Sequence, residues 1–361
     1  MSTDTMQDAL IEDSAAKLFS TQVDKDRRLR AEAGEWDAAL WQQVTDSGFH
    51  LLLATEAAGG FGEGWTAAWP LLRGLGYWQV PLPLAETMVA AQLASLAGFA
   101  LPDGPLTLIE QGEGNAFTVS GSGADATVTG TAHHVPWARH ASAALVSLAD
   151  GRLALLDLKA AGVTVQPHAN HAGLPSDTLV LDRARLQAMA ANPLPLARPA
   201  WTLGAAARSA MLVGALESAL EQAVRYAGER VQFGKPLGKY QAIQQQLALM
   251  AGDVAAARVA ALVAMADCPG GAQGSCAATH FSTAVAKVRT GEAATRGTSI
   301  AHQVHGAIGF THEHALHFAT RRLWAWRAEF GSDAVWAVEL GRAAIAARSA
   351  GFWAGVTGKT L

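Results

Sequence analysis

Residues 226–250 read YAGERVQFGKPLGKYQAIQQQLALM. An Ala-rich pattern with helical spacing runs into this stretch over 201–227 and another leaves it over 240–267. Between them Gly234 and Pro236 stop a helix, so the stretch predicts a tight turn joining two long helices. Further patterns of the same kind follow over 273–304, 313–329 and 333–351. Long Ala-rich helices with short connections fold back on one another, which predicts an antiparallel bundle of four or five helices.

The pattern changes upstream of the bundle. AANPLPLARP (191–199 and its flank) is a Pro-rich boundary. Before it, LTLIE, AFTVSG, ATVTGTAHHV, SAALVSL, RLALLDL, GVTVQPH and DTLVLD are short runs punctuated by Gly, Asp and Asn, the spacing of an antiparallel β unit. Earlier still, DALIEDSAAKLF, EWDAALWQQVTDSG and TMVAAQLASLAG space apolar residues by three and four. The class is α+β, in three parts: an N-terminal helical domain over 1–104, a middle antiparallel β domain over 105–190 and a C-terminal helical bundle over 191–361.

Composition narrows the function. Half of the 361 residues are hydrophobic, 16% are charged and the formal net charge is −4. No Lys/Arg-rich block offers a footprint for nucleic acid. Cys268 and Cys276 are the two cysteines, flanking a loop, so neither a disulfide framework nor a zinc site is expected. The N-terminus lacks the basic and apolar regions of a signal peptide, and Arg258 breaks the most apolar run, so no membrane span and a cytoplasmic location are expected.

Several near-motifs carry little. GSGADA at Gly121 resembles a dinucleotide fingerprint, but strand residues follow where a helix should start, so a hairpin turn is expected. HEHALH (312–317) nearly spells a zinc motif. His312 and His317 are five apart, which on a helix points them to different faces, and no metal is expected.

The α–β–α order resembles the acyl-CoA dehydrogenase family over nearly the whole chain. Two segments carry the resemblance. RVQFGKPLGKYQ (230–241) is similar to the family's Arg-x-x-Phe-Gly segment followed by Gln, and QVHGAIGF (303–310) is similar to its Gln-x-x-Gly-Gly-x-Gly segment. The resemblance implies an FAD site. Arg230 would present a cationic fork to the pyrophosphate, Gln232 an amide donor, Phe233 an apolar wall, and Gly234 the turn that brings Tyr240 and Gln241 to a helix start. Gln303, Val304, His305, Gly306 and Ala307 would lie against the adenine-side half of a neighbouring subunit's FAD, with Ala307 replacing the family's second Gly. Arg230 as a surface ion-pair partner, Tyr240 on a solvated helix face and His305 as a core histidine are the competing readings.

The same resemblance implies α,β-dehydrogenation of an acyl-CoA, closest to bacterial members acting on steroid or other bulky acyl chains, with an electron-transfer acceptor downstream. It breaks at the catalytic base. The two positions where the family carries a carboxylate are Phe330 and Gly204 here. Glu329 lies one residue early and Asp333 three late. The Thr-Glu-Pro…Gly-Ser-Asp stretch is replaced by LTLIEQGEGNAF, and the Trp-x-Thr loop by HHVPW (133–137). These gaps point to a chain that needs a second acyl-CoA dehydrogenase-like subunit to bring the carboxylate. The alternatives are an autonomous homo-oligomer using Glu329 or Asp333, and a non-catalytic scaffold.

Overall fold

The computed structural model describes residues 3–112, 114–270 and 276–359. The loop expected between the two cysteines falls largely outside them, at 271–275. Five helices come first: α1 (Thr3–Gln22), α2 (Lys25–Glu32), α3 (Ala38–Asp46), α4 (Trp65–Tyr77) and α5 (Leu84–Leu96). Helix α5 has almost every described side chain buried, which is why its apolar residues show no single face.

The β domain has seven strands: β1 (Leu106–Glu110), β2 (Ala116–Ser120), β3 (Thr127–Pro136), β4 (Ala143–Ser147), β5 (Arg152–Asp157), β6 (Val163–Gln166) and β7 (Ser176–Ala191). Strand order is β1-β4-β5-β7-β3-β2, with β6 also on β7. β7 is long enough to serve two half-sheets. Its first part pairs with β3 and β6 and its last part with β5. Ile109, Val128, Val146, Leu156, Leu179 and Leu186 fill the space the half-sheets enclose. The sheet is antiparallel except for β1 and β4, which pair parallel, Leu106 opposite Ala143. The expected hairpin at Gly121 is present, joining β2 to β3.

The C-terminal bundle comprises α6 (Pro199–Glu229), α7 (Gln241–Asp267), α8 (Cys276–His305), α9 (Leu316–Ala328) and α10 (Asp333–Gly358). The turn read at 230–236 is a two-stranded hairpin, β8 (Val231–Gln232) and β9 (Lys235–Pro236), between α6 and α7. Two helices are long and apolar enough to cross a membrane by length and composition, contrary to the expectation drawn from Arg258. Asp253 and Arg258 do not offset so many Ala, Val and Leu in the surrounding 18 residues. The apolar window of α6 is 94% buried within the protein, whereas that of α7 is only 28% buried. Both cysteines are free.

Candidate flavin and acyl site

A cavity of about 650 Å³ opens between the β domain and the bundle. Glu110, Asn115, His133 and His134 come from the β domain; Trp201 comes from the first turn of α6; Glu329 and Phe330 come from the α9–α10 loop. Strand β3 carries a bulge between Ala132 and Val135, and His134 there has φ +55°. Bulges of this kind re-aim side chains beside functional clefts.

The two positions expected to carry the base are neighbours in space. A Cβ built on Gly204 would lie 2.7 Å from the Phe330 ring. The ring therefore fills the volume that a longer side chain from α6 would enter. Phe330 and Gly331 both have positive φ (52° and 88°), and the Phe330 carbonyl accepts from Trp336 Nε1 at 2.9 Å.

Glu329 reaches the cleft but is fully engaged. Its Oε2 accepts from Arg208 Nε at 2.6 Å and its Oε1 from Asn170 Nδ2 at 2.9 Å. Arg208 is buried and is also paired with buried Glu86. Burial disfavours the charged guanidinium, but the carboxylates of Glu86 and Glu329 outweigh it and push Arg208 above its ordinary value. To take a proton, Glu329 would have to give up a charge-assisted bond to a buried cation. Asp333 is in an ion pair with Arg327 at 2.9 Å and is not among the cleft-lining residues.

Buried Lys287 on α8 holds the same loop. Its Nζ donates to the carbonyls of Trp326, Arg327 and Glu329 at 3.3, 3.1 and 2.9 Å. It thus caps the C-terminus of α9 from a different helix. Desolvation pulls this ammonium down to about 7.

The other candidate residues lie at the far end of α6. Phe233 and Gly234, with φ of 50° and 85°, form a two-residue hairpin turn of the primed type. A Phe in the left-handed region costs about 1–2 kcal/mol, yet its side chain is 91% exposed. Tyr240 braces the hairpin by donating its hydroxyl to the carbonyls of Gln232 and Phe233 at 3.0 and 3.2 Å, and Lys235 Nζ sits 4.3 Å above its ring. The Arg230 guanidinium is exposed and makes no ion pair among the described residues, so the surface-pair reading of it does not hold. Gln232 and Gln241 are exposed as well.

In the second segment the side chains divide. Gln303, Gly306 and Ala307 are exposed, while Val304 and His305 are buried at 3%. His305 stacks on Tyr226 with centroids 4.6 Å apart, and its Nδ1 is 2.7 Å from the Ala301 carbonyl. The core reading of this ring is the observed one, and burial lowers its pKa. A ligand on this surface would meet Gln303, Gly306 and Ala307. The Tyr226–His305 stack also ties this segment to the hairpin end of α6.

His312 and His317 do not diverge. Helix α9 begins only at Leu316, so the helical spacing does not apply, and the two rings meet with centroids 5.2 Å apart. Among the described residues no group of three or more His, Cys, Asp or Glu could hold a metal ion.

The cleft and the hairpin are far apart within one chain. Unbroken helix joins Gly204 to Arg230, and 230 − 204 gives 26 residues, or ~39 Å at ~1.5 Å each.

Comparison with known proteins sets this geometry in a family. Residues 195–345 match the family model described as acyl-CoA dehydrogenase, C-terminal domain. Acyl-CoA dehydrogenase IpdE2 of Mycobacterium tuberculosis is 31% identical over 298 residues, 80% of either chain. The chain belongs to the acyl-CoA dehydrogenase family. Acyl-CoA dehydrogenase FadE27 of the same organism is 32% identical over 313 residues, covering 78% of this chain and 81% of that one. A solved structure described as the Tcur3481-Tcur3483 steroid ACAD G363A variant superposes with a TM-score of 0.84 at 27% identity, covering 96% of this chain and all of that one. The protein is accordingly an FAD-dependent oxidoreductase of the acyl-CoA dehydrogenase type.

Sequence reasoning missed four side chains that shape the cleft. Glu110 closes a strand of buried residues, and Arg208 and Lys287 each interrupt an apolar helix face; a charge inside an apolar run was the available signal. Glu86 is the one charge in a helix otherwise uncharged.

Proposed function

We propose that this chain is one subunit of a heteromeric acyl-CoA dehydrogenase, cytoplasmic, acting on a steroid or similarly bulky acyl-CoA and passing electrons to a separate acceptor protein. The observation that carries this reading is the division of the site. The end bearing Arg230, Gln232, Phe233 and Gln303 suits a flavin, while the cleft ~39 Å away has an aromatic ring where a base would stand. One cofactor cannot use both ends of the same chain, so the hairpin serves a flavin whose ring lies in a partner's cleft.

The residues at the hairpin end fit FAD in chemical type. Arg230 has a free fork for the pyrophosphate, Phe233 an exposed apolar face, and Gln232 and Gln303 exposed amides. Val304 and His305 serve as the packed base of that surface, and Tyr240 and Gln241 hold the hairpin and start α7. When bound, the flavin supplies acceptance of the β-hydride. The α-proton goes to a carboxylate, which this reading assigns to the partner because Gly204 and Phe330 have none and Glu329 is committed to Arg208.

The partner has a surface to use. Leu249, Val259, Leu262 and Val263 are exposed along α7, and an apolar face of that extent marks an interface. The name of the similar steroid enzyme joins two components, and this supports a partner that differs from the chain itself.

Co-expression with a second dehydrogenase-like chain tests the proposal, by sizing and assaying each chain and the pair. Activity confined to the pair, and lost when the partner's base is replaced by its amide, supports it. Turnover by the lone chain that collapses in Glu329→Gln supports the autonomous reading instead.

A further inference from the structure

Helix α6 begins without a cap of its own. Arg198 stands at the N-cap position with no side-chain cap hydrogen bond, and Pro199 follows at the first helical position. The free N–H groups of that turn need an acceptor from elsewhere. Glu110 supplies one from a strand 91 residues earlier: its Oε2 accepts from the Trp201 backbone N–H at 3.0 Å. Its Oε1 accepts from the Ser147 hydroxyl at 2.8 Å. The residue is 5% exposed and lines the cleft.

A glutamine would fit this place without the cost of burying a charge, so an ionisable group here has consequences. Strand β4 faces it with Ser147. The start of α6 brings Arg198, itself ion-paired to Glu339 of α10 at 2.6 Å. The β3 bulge brings His133 and His134 to the same cleft, and the α9–α10 loop brings Glu329, held by Arg208. Burial, opposed by the bonds from Trp201 and Ser147, pushes the Glu110 carboxyl up to about 7.

We propose that Glu110 is a positioning residue, an interdomain cap whose proton sets how firmly β1 grips the first turn of α6 and so fixes the walls of the cleft. Ionised, the carboxylate accepts from Trp201 with a charge-assisted bond at the positive end of a helix. Protonated, it accepts more weakly, one oxygen becomes a donor, and Ser147 must turn to accept it. Gly204 and Arg208 ride on the same helix within the next two turns, so a looser first turn is felt at the Phe330 contact.

The sign of the linked stability differs from that of the grip. The folded chain keeps this proton between the ordinary value of 4.5 and about 7, where the unfolded chain has lost it. Stability from Glu110 therefore falls as pH rises through that window, while the bond to Trp201 strengthens. A purely structural contact would show no such opposition.

The test uses the full chain labelled with ¹⁵N-tryptophan, with Trp201→Phe to assign the resonance. The Trp201 amide should move downfield with rising pH around one midpoint near 7, and should stay still in Glu110→Gln. An amide that is static across about two pH units on either side, or that moves equally in Glu110→Gln, overturns the proposal. Should Glu110→Gln fail to fold, Ser147→Ala removes one donor and must raise the midpoint; an unchanged midpoint also overturns it.

Coupling to the ligand rests on the function proposed above. Flavin affinity of the assembled enzyme should change about fivefold across the same midpoint and be flat in Glu110→Gln. A titrating Trp201 with flat flavin affinity overturns the coupling alone. An assembly that binds no flavin counts against the proposed function and leaves the amide to decide the cap.

Discussion

Gly204→Ala should change the sign of its effect on stability according to the residue at 330. In a helix interior, Gly→Ala ordinarily gains about 1 kcal/mol. Here the added Cβ would stand 2.7 Å from two ring carbons of Phe330 and 2.9 Å from a third. Phe330 lines the cleft, so the ring could move only by giving up its contact with the Arg208 guanidinium, 5.6 Å from its centroid. Overpacking of this kind costs about 1–3 kcal/mol, so Gly204→Ala alone should be neutral to destabilising by about 2 kcal/mol. Phe330→Gly removes the ring, and its φ of +52° suits glycine. In that background Gly204→Ala should stabilise by about 1 kcal/mol. Urea denaturation of the four proteins closes the cycle, with an expected coupling of about 1–3 kcal/mol. Additivity within about 0.5 kcal/mol would refute the claim that Phe330 occupies the space over Gly204.

Other outcomes follow from the same geometry. Arg230→Ala should weaken FAD binding by the assembled enzyme about 10- to 100-fold, corresponding to about 1.5–3 kcal/mol, as read by flavin titration. Lys287 has a folded-state pKa of about 7 against an ordinary 10.5, so the unfolded chain binds the extra proton between them and stability should rise with pH across that window. Lys287→Met should remove this slope, at most about 1.4 kcal/mol per pH unit, in paired denaturation curves near its two ends. Glu329→Gln should destabilise the chain by about 1.5–3 kcal/mol, because Arg208 keeps buried Glu86 but exchanges a carboxylate for a neutral amide acceptor, yet leave turnover per folded enzyme within about twofold; a loss beyond about 10²-fold would make Glu329 the base.

The bundle was legible because its helices are long and Ala-rich, so the expected spans lie within a few residues of the observed ones, except that α10 runs to Gly358 rather than 351. The strands were legible from local runs, but the parallel pairing of β1 with β4 was not, since nothing in LTLIE specifies a partner beyond the next hairpin. Phe330 and Gly204 could each be identified as lacking a carboxylate. That one fills the space of the other could not be read, because they are 126 residues apart. The two segments proposed to face FAD were singled out by their motifs, yet the burial of His305 and the bracing role of Tyr240 depend on Tyr226 and the hairpin carbonyls. The His312–His317 argument failed because its helix starts at Leu316, three residues later than the expected 313.

The claim that the cofactor site is divided between chains is tested most directly by sedimentation monitored at the flavin absorbance. The account predicts that flavin travels only with species containing this chain and a partner, and that Arg230→Ala in this chain strips it from them. Flavin travelling stoichiometrically with the lone monomer, and lost there in Arg230→Ala, would contradict it.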